Sequence, residues 1–238
     1  VAQQSPLIGG PIAFDDLRTA LPKLTAPLIT KYRNDDVAFL PPPADGGLAA
    51  EAAFAVLAQF PDNFAAANAR ALSVAARYRA GGVTPDQALA ATDLPSVGLP
   101  ALPASTTFVT LDRSGDAVVC ALTMDNLFGT GRIIPSLGFL AAASPAAVPP
   151  PLLAAGLAWN GHIGAFRAEV GGSGQAGAPM AAAFGMINTL RTQQPMPTPV
   201  PDPGRANVIA CGNYLPGDPG TCGWATDPRD SGLALGAN

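Results

Sequence analysis

Proline and glycine contribute 26 residues each to a chain of 238, more than a fifth of the whole, and much of the proline is clustered. A proline removes a backbone donor and steers the residue before it away from the helical region. Regular structure is therefore sought between Pro41-Pro42-Pro43, the connector Leu94 to Ala104, Pro149-Pro150-Pro151 and the run from Pro195 to Pro203. Apolar residues still reach 48%, enough to bury a core within a single domain of ordinary size. Charged residues fall to 13%, about half the usual quarter. With a net charge of −4, 13 basic side chains and no basic block, the chain lacks the electrostatic footprint of a nucleic-acid binder. No collagen triplet, heptad or charged tail occurs either.

Between these breaks the dominant periodicity changes after the connector. Helical spacing governs the first half: Phe14 to Leu24, with Asp15 and Asp16 in the first turn, then Leu48 to Phe60 and Asn63 to Tyr78. Thr84-Pro85-Asp86-Gln87 reads as an N-cap opening a short helix. An extended segment runs from Lys31 to Leu40. After the connector the alternation becomes two-residue, over Thr107 to Leu111 and Ala117 to Thr123, around the turn Asp112-Arg113-Ser114-Gly115-Asp116. Ile133-Ile134 and Gly138 to Ala142 read as a further extended piece, and Ala165 to Val170 as a strand entering the loop Gly171-Gly172-Ser173-Gly174. A helix over Pro179 to Leu190 and a strand pair, Val208 to Cys211 with Gly223 to Ala225, complete the pattern. Helices followed by strands predict a mixed α+β domain.

Leu137 to Trp159 carries no charge and is nominally long enough for a membrane span, but Pro145 and the three prolines at 149–151 forbid a continuous helix. It reads as a buried strand followed by an extended linker. His162 is the only histidine and has no ligand-spaced companions, so no metal or other cofactor is expected. Gly46-Gly47, ahead of a helix, fits either a weak anion site or a tight turn. Cys211 and Cys222 bracket a Gly/Pro-rich loop, either bridged, which implies an oxidising compartment, or reduced. Cys120 lies within an apolar run and reads as a core residue.

One constellation is more specific. Ser105-Thr106-Thr107-Phe108-Val109-Thr110-Leu111-Asp112-Arg113-Ser114-Gly115-Asp116 is followed by Phe128-Gly129-Thr130-Gly131. This resembles the start of the small subunit of γ-glutamyltranspeptidases, a family of N-terminal-nucleophile hydrolases. Tyr32-Arg33 and Pro41-Pro42-Pro43-Ala44-Asp45-Gly46-Gly47 resemble a stretch late in that family's large subunit, and Thr226-Asp227-Pro228-Arg229 its closing Ser-Asp-Pro-Arg segment. The resemblance implies residues 1–104 as the end of a large subunit and 105–238 as a shortened small subunit. Together they would make one domain with a partial αββα sandwich.

It also implies a self-cleaving precursor in which a freed Thr supplies nucleophile and α-amino base. Ungapped, Ser105 takes the nucleophile's position; a one-residue slip gives Thr106. Thr123 keeps the family's supporting threonine, and Asp125 stands where an Asn holds the glutamyl group. The groups for the donor's ammonium fall near Ser144 and Ala147. The Ser-Ser pair for its carboxylate becomes Ala154-Ala155, and the oxyanion Gly-Gly becomes Gln175-Ala176. Each lost contact to a buried zwitterion costs roughly 1–3 kcal/mol, and lost oxyanion donors on the order of 10²–10³ in rate.

The expectation is a family-like protein that no longer transfers γ-glutamyl groups and serves as a binding or structural subunit. It would be periplasmic or otherwise exported, and its protein partner would cover sheet edges left open by the missing large-subunit part. The rivals are an amidohydrolase of altered specificity using Ser105 or Thr106, with Ala154 and Ala155 lining an apolar acyl pocket, and a piece of a longer active precursor.

Overall fold

The computed structural model describes residues 1–8, 12–92 and 99–236, so part of the connector after Thr92 lies outside them. In chain order the elements are α1 (Phe14–Thr19), β1 (Leu28–Tyr32), β2 (Asp35–Phe39), α2 (Asp45–Gln59), α3 (Phe64–Arg79) and α4 (Pro85–Ala90). Then follow β3 (Thr106–Leu111), β4 (Ala117–Leu122), β5 (Ala154–Asn160), β6 (Phe166–Ser173), α5 (Ala178–Thr192), β7 (Arg205–Leu215) and β8 (Cys222–Thr226). Six strands form one sheet in the order β1-β2-β5-β6-β7-β8, every neighbouring pair antiparallel, while among the described residues β3 and β4 pair only with each other.

Alternation assigns the two faces of the large sheet. Val37, Phe39, Ala154, Ala158, Ala168, Val170, Ala206 and Val208 point to α2 and α5 and share one core with Phe54, Leu57, Met180, Phe184 and Ile187. Both helices are alanine-rich on that side, and Cβ-sized contacts bring them close to the sheet. The N-terminus of α2 comes closest. A Cβ at Gly46 would stand 2.3 Å from the Leu153 carbonyl oxygen, and one at Gly47 2.0 Å from that of Leu40. The Gly46-Gly47 pair thus lies buried in the first turn of a helix and serves close packing rather than an open anion site. Asp45 beside it is paired with Arg79 of α3, which also donates to the Pro150 carbonyl at 2.8 Å.

The β3–β4 hairpin covers the opposite face. Asn207 of β7 donates from Nδ2 to the Thr107 carbonyl at 3.0 Å and to Thr107 Oγ1 at 3.2 Å, and Gly171 of β6 lies directly beneath the Thr107 side chain. At the other end Leu111 and Ala117 pack on Phe166, Cys211 and Leu215. The hairpin therefore runs along β6, Thr107 at Gly171 and Leu111 near Phe166. The result is the expected mixed α+β domain with antiparallel sheets.

Several expectations are corrected in detail. In the uncharged stretch 137–159 the order is reversed: residues 141–153 are irregular and the strand comes last, as β5. Gly171, Gly172 and Ser173 are not a loop but the buried end of β6: the two glycines pair with both β5 and β7, and Ser173 pairs with β7. The first helix stops at Thr19, ahead of Pro22. Thr84 and Gln87 form the reciprocal cap that their spacing predicts. Ile133 and Leu140 make only an isolated bridge.

Cys211 and Cys222 face each other across β7 and β8 and are disulfide-bonded, and Cys120 is free. Closing a loop of this size stabilises by roughly 3 kcal/mol in the chain-entropy picture. A thiol titration of the unfolded, unreduced protein is expected to find one group per chain, rising to three after reduction.

Glu169 lies at the centre of β6, between Leu157 of β5 and Ile209 of β7 and on the face under the hairpin. It is wholly buried, and neither carboxylate oxygen has a hydrogen-bond partner among the described residues. Burial alone pushes its pKa from the ordinary 4.5 up to about 8. The folded state thus holds a proton that the unfolded chain releases above about 4.5. This contribution to stability is complete below that pH and is lost as pH rises through about 8. Urea midpoints of the wild type should fall between pH 5 and pH 8, by up to about 1.4 kcal/mol per pH unit. Glu169→Gln should flatten that slope, and an equal slope in the variant would refute the assignment.

Candidate active site

The register of the hairpin builds the site. Thr106 pairs with Leu122, so Ser105 and Thr123 are opposite one another one step beyond the paired strands. Thr123 Oγ1 donates to the Ala104 carbonyl oxygen at 2.6 Å and accepts from the Asp125 N–H at 2.9 Å. The second bond requires a tight turn, and Asp125 adopts it with φ of 57°, a left-handed conformation that Asp tolerates better than most residues. The Ser105 hydroxyl oxygen is enclosed and has no hydrogen-bond partner among the described residues. A threonine hydroxyl thus rests on the carbonyl of the Ala104–Ser105 bond, and the serine hydroxyl of that bond is unengaged among the described residues. Thr106 points outward and is exposed.

The remaining sequence candidates are placed as follows. Ala155 pairs with Gly171, beneath Thr107, whereas Ala154 faces α2 and α5 in the core. Neither lines a cavity among those described. Ser144 and Ala147 occupy an exposed turn closed by the Ala147 N–H on the Ser144 carbonyl. Gln175 and Ala176 belong to the single 3-10 turn Gln175–Gly177 between β6 and α5. His162 sits in an exposed turn where its N–H donates to Asn160 Oδ1 at 2.9 Å. Among the described residues no three His, Cys, Asp or Glu side chains are grouped to hold a metal ion.

Two arrangements escape sequence reasoning. The first is the Thr107–Asn207–Gly171 contact, hinted at only by the inward parity of Thr107 in β3. The second buttresses the 175–177 turn. Pro203 and Gly204 press on it so closely that a Cβ at Gly174 would stand 2.1 Å from the Pro203 carbonyl oxygen; Gly174 has φ of 107°. Arg229 holds that loop, donating to Asp202 Oδ1 at 3.0 Å and to the Gly204 carbonyl at 3.2 Å. Its fork also engages buried Asp227, whose pKa is held below the usual carboxylate range mainly by these hydrogen bonds. Two continuous clefts, about 380 Å³ and about 640 Å³, run along β3 from Thr106 towards Arg113 and share Val109, Ile209, Trp224 and Leu235.

No family model matches the chain, and no curated protein matches it. Among solved structures it is similar to cephalosporin acylase from Bacillus halodurans, with a TM-score of 0.63 over 96% of this chain at 17% identity. The likeness is one of fold alone. This chain spans 56% of the acylase chain, just over half its length.

Thr123→Val keeps the shape and removes both hydrogen bonds of the Thr123 hydroxyl, the one to the Ala104 carbonyl and the one from the Asp125 N–H. A loss of about 1–2 kcal/mol of stability is expected, read from denaturant midpoints, with the Asp125 amide exchanging faster.

Proposed function

We propose that this protein is a γ-glutamyltranspeptidase-like subunit that does not transfer γ-glutamyl groups and works by binding a protein partner in an exported assembly. The observation that carries the reading is the chemistry at the positions for the donor's head group. The carboxylate-binding pair is two methyl groups, one of them turned into the helical core, and the ammonium-binding positions lie in an exposed turn. A zwitterion bound there would lose its water without gaining charged or hydrogen-bonding partners. The disulfide suits an oxidising compartment, and among the described residues no helix is long and apolar enough to cross a membrane. Phe108, Val118 and Leu122 project from the outer face of a hairpin that has no further strand on either side among the described residues, which suits a covered position in an assembly.

A second reading is favoured by the Ala104–Ser105 geometry. Attack of Ser105 Oγ on the Ala104 carbonyl carbon would form an ester as the C–N bond breaks and the amide nitrogen takes the proton. Water would then release the Ala104 carboxylate and leave Ser105 as an N-terminal nucleophile. The hydrogen bond from Thr123 Oγ1 to the Ala104 carbonyl supports a role for Thr123 in stabilising the oxyanion of that step.

Intact mass and γ-glutamyl transfer assays on natively purified protein separate the readings. The subunit reading expects Ala104 and Ser105 to stay joined in one polypeptide, a stoichiometric second polypeptide, and no transfer from glutathione or a γ-glutamyl anilide. Transfer activity, or a monomer with no companion, overturns it. Cleavage before Ser105 establishes the second reading.

A further inference from the structure

The pairing of β3 leaves one set of its backbone groups unused. The Asp112 N–H donates to the Asp116 carbonyl at 3.1 Å, so Asp112 and Asp116 form a hydrogen-bonded pair. In an antiparallel ladder such pairs alternate, which directs the N–H and C=O groups of Phe108 and Thr110 at β4 and those of Thr107, Val109 and Leu111 away from it. The Thr107 carbonyl shows this directly, since it accepts from Asn207 instead. The amides and carbonyls of Val109 and Leu111 have no partner among the described residues.

These unused groups face the two clefts along β3, in which Ile209 and Trp224 form an apolar floor and Leu235 the rim. An apolar trough edged by free peptide groups is complementary to another peptide backbone, because only a backbone satisfies alternating donors and acceptors while its side chains enter the trough at every second residue. The outer surface of the same hairpin is apolar, and two strands alone are too few to be stable without cover. This chain spans 56% of the acylase chain that it resembles in fold, so that fold accommodates more polypeptide than these 238 residues.

We propose that the free edge of β3 is a strand-addition site, where an extended segment of a partner polypeptide, apolar at alternate positions, pairs with Val109 and Leu111 over Ile209 and Trp224. The proposal rests on the subunit reading and names the place and manner of partner binding. A strand added here extends the two-stranded sheet along β3, whose opposite end leads to the candidate cleavage bond.

The test uses the intact ¹⁵N-labelled chain and a synthetic ten-residue peptide of alternating valine and threonine, with amide exchange read residue by residue. At saturating peptide, exchange at Val109 and Leu111 should slow at least about tenfold, while Phe108, already bonded to β4, should change little. Val109→Pro removes the outward donor without removing a β3–β4 hydrogen bond and should abolish the slowing. If that variant fails to fold, Leu235→Lys, at an exposed rim position, should weaken the peptide's apparent affinity several-fold with the fold intact. Unchanged exchange at Val109 and Leu111 overturns the proposal. So does protection in the chain alone, whether through Gly232 to Gly236 closing on β3 or through a second copy, the latter seen as concentration dependence. The subunit reading is judged separately by the stoichiometric companion, so a companion found together with an unprotected β3 edge sinks this inference alone.

Discussion

The structure depends on how closely the β3–β4 hairpin approaches the large sheet. At Gly171 the missing side chain lets Thr107 come so near that a Cβ there would lie 2.5 Å from Thr107 Cβ and Oγ1. Asn207 then holds both oxygens of Thr107 from the neighbouring strand. With Thr107 seated, the hairpin register brings Thr123 opposite Ser105, and the Ala104 carbonyl falls under a hydroxyl donor. Without it the hairpin is a two-stranded ribbon, marginal by itself in water. Site geometry is thus a consequence of one small-residue contact in the layer between the sheets.

That layer contains an internal conflict. Glu169 occupies its middle with neither oxygen bonded, where an apolar side chain would suit Leu157 and Ile209 better. The ends of the layer are, by contrast, well tied. At one end the disulfide, Leu111 and Phe166 form a small cluster, and beside it Arg167 donates to the Cys211 carbonyl at 3.0 Å and stacks over Tyr214, whose hydroxyl reaches Asp35 at 2.9 Å. At the other, Arg229 and Asp227 clamp the loop that supports the 175–177 turn. The layer thus has firmly tied ends and an unsatisfied centre at Glu169.

Much of the fold was legible because local rules and tertiary demands agree there. The α2, α3 and α5 helices follow apolar spacing that the core then uses, and the Thr84–Gln87 cap and the hairpin turn are set by neighbouring residues alone. Where the rules conflicted, the reading failed. Gly171, Gly172 and Ser173 have turn-forming composition yet lie in a central strand, since β5 and β7 supply both sets of hydrogen bonds and the absent side chains admit Thr107 and α5. The stretch 137–159 is uniformly apolar and so carries no parity to say where its strand lies.

The sequence by itself determined the class of domain, the order of helices and strands, the hairpin carrying Ser105 and Thr123, and the exclusion of a continuous helix through the prolines. These depend on periodicity and on backbone restrictions within a few residues. Only the tertiary structure decided that Ala154 and Ala155 point to opposite layers, that the closing Asp227–Arg229 segment braces a turn some fifty residues earlier, and that β3 ends with an open edge. Each of these is a relation between strands far apart in the chain. Such pairings are chosen by the whole core at once, and no local pattern encodes them.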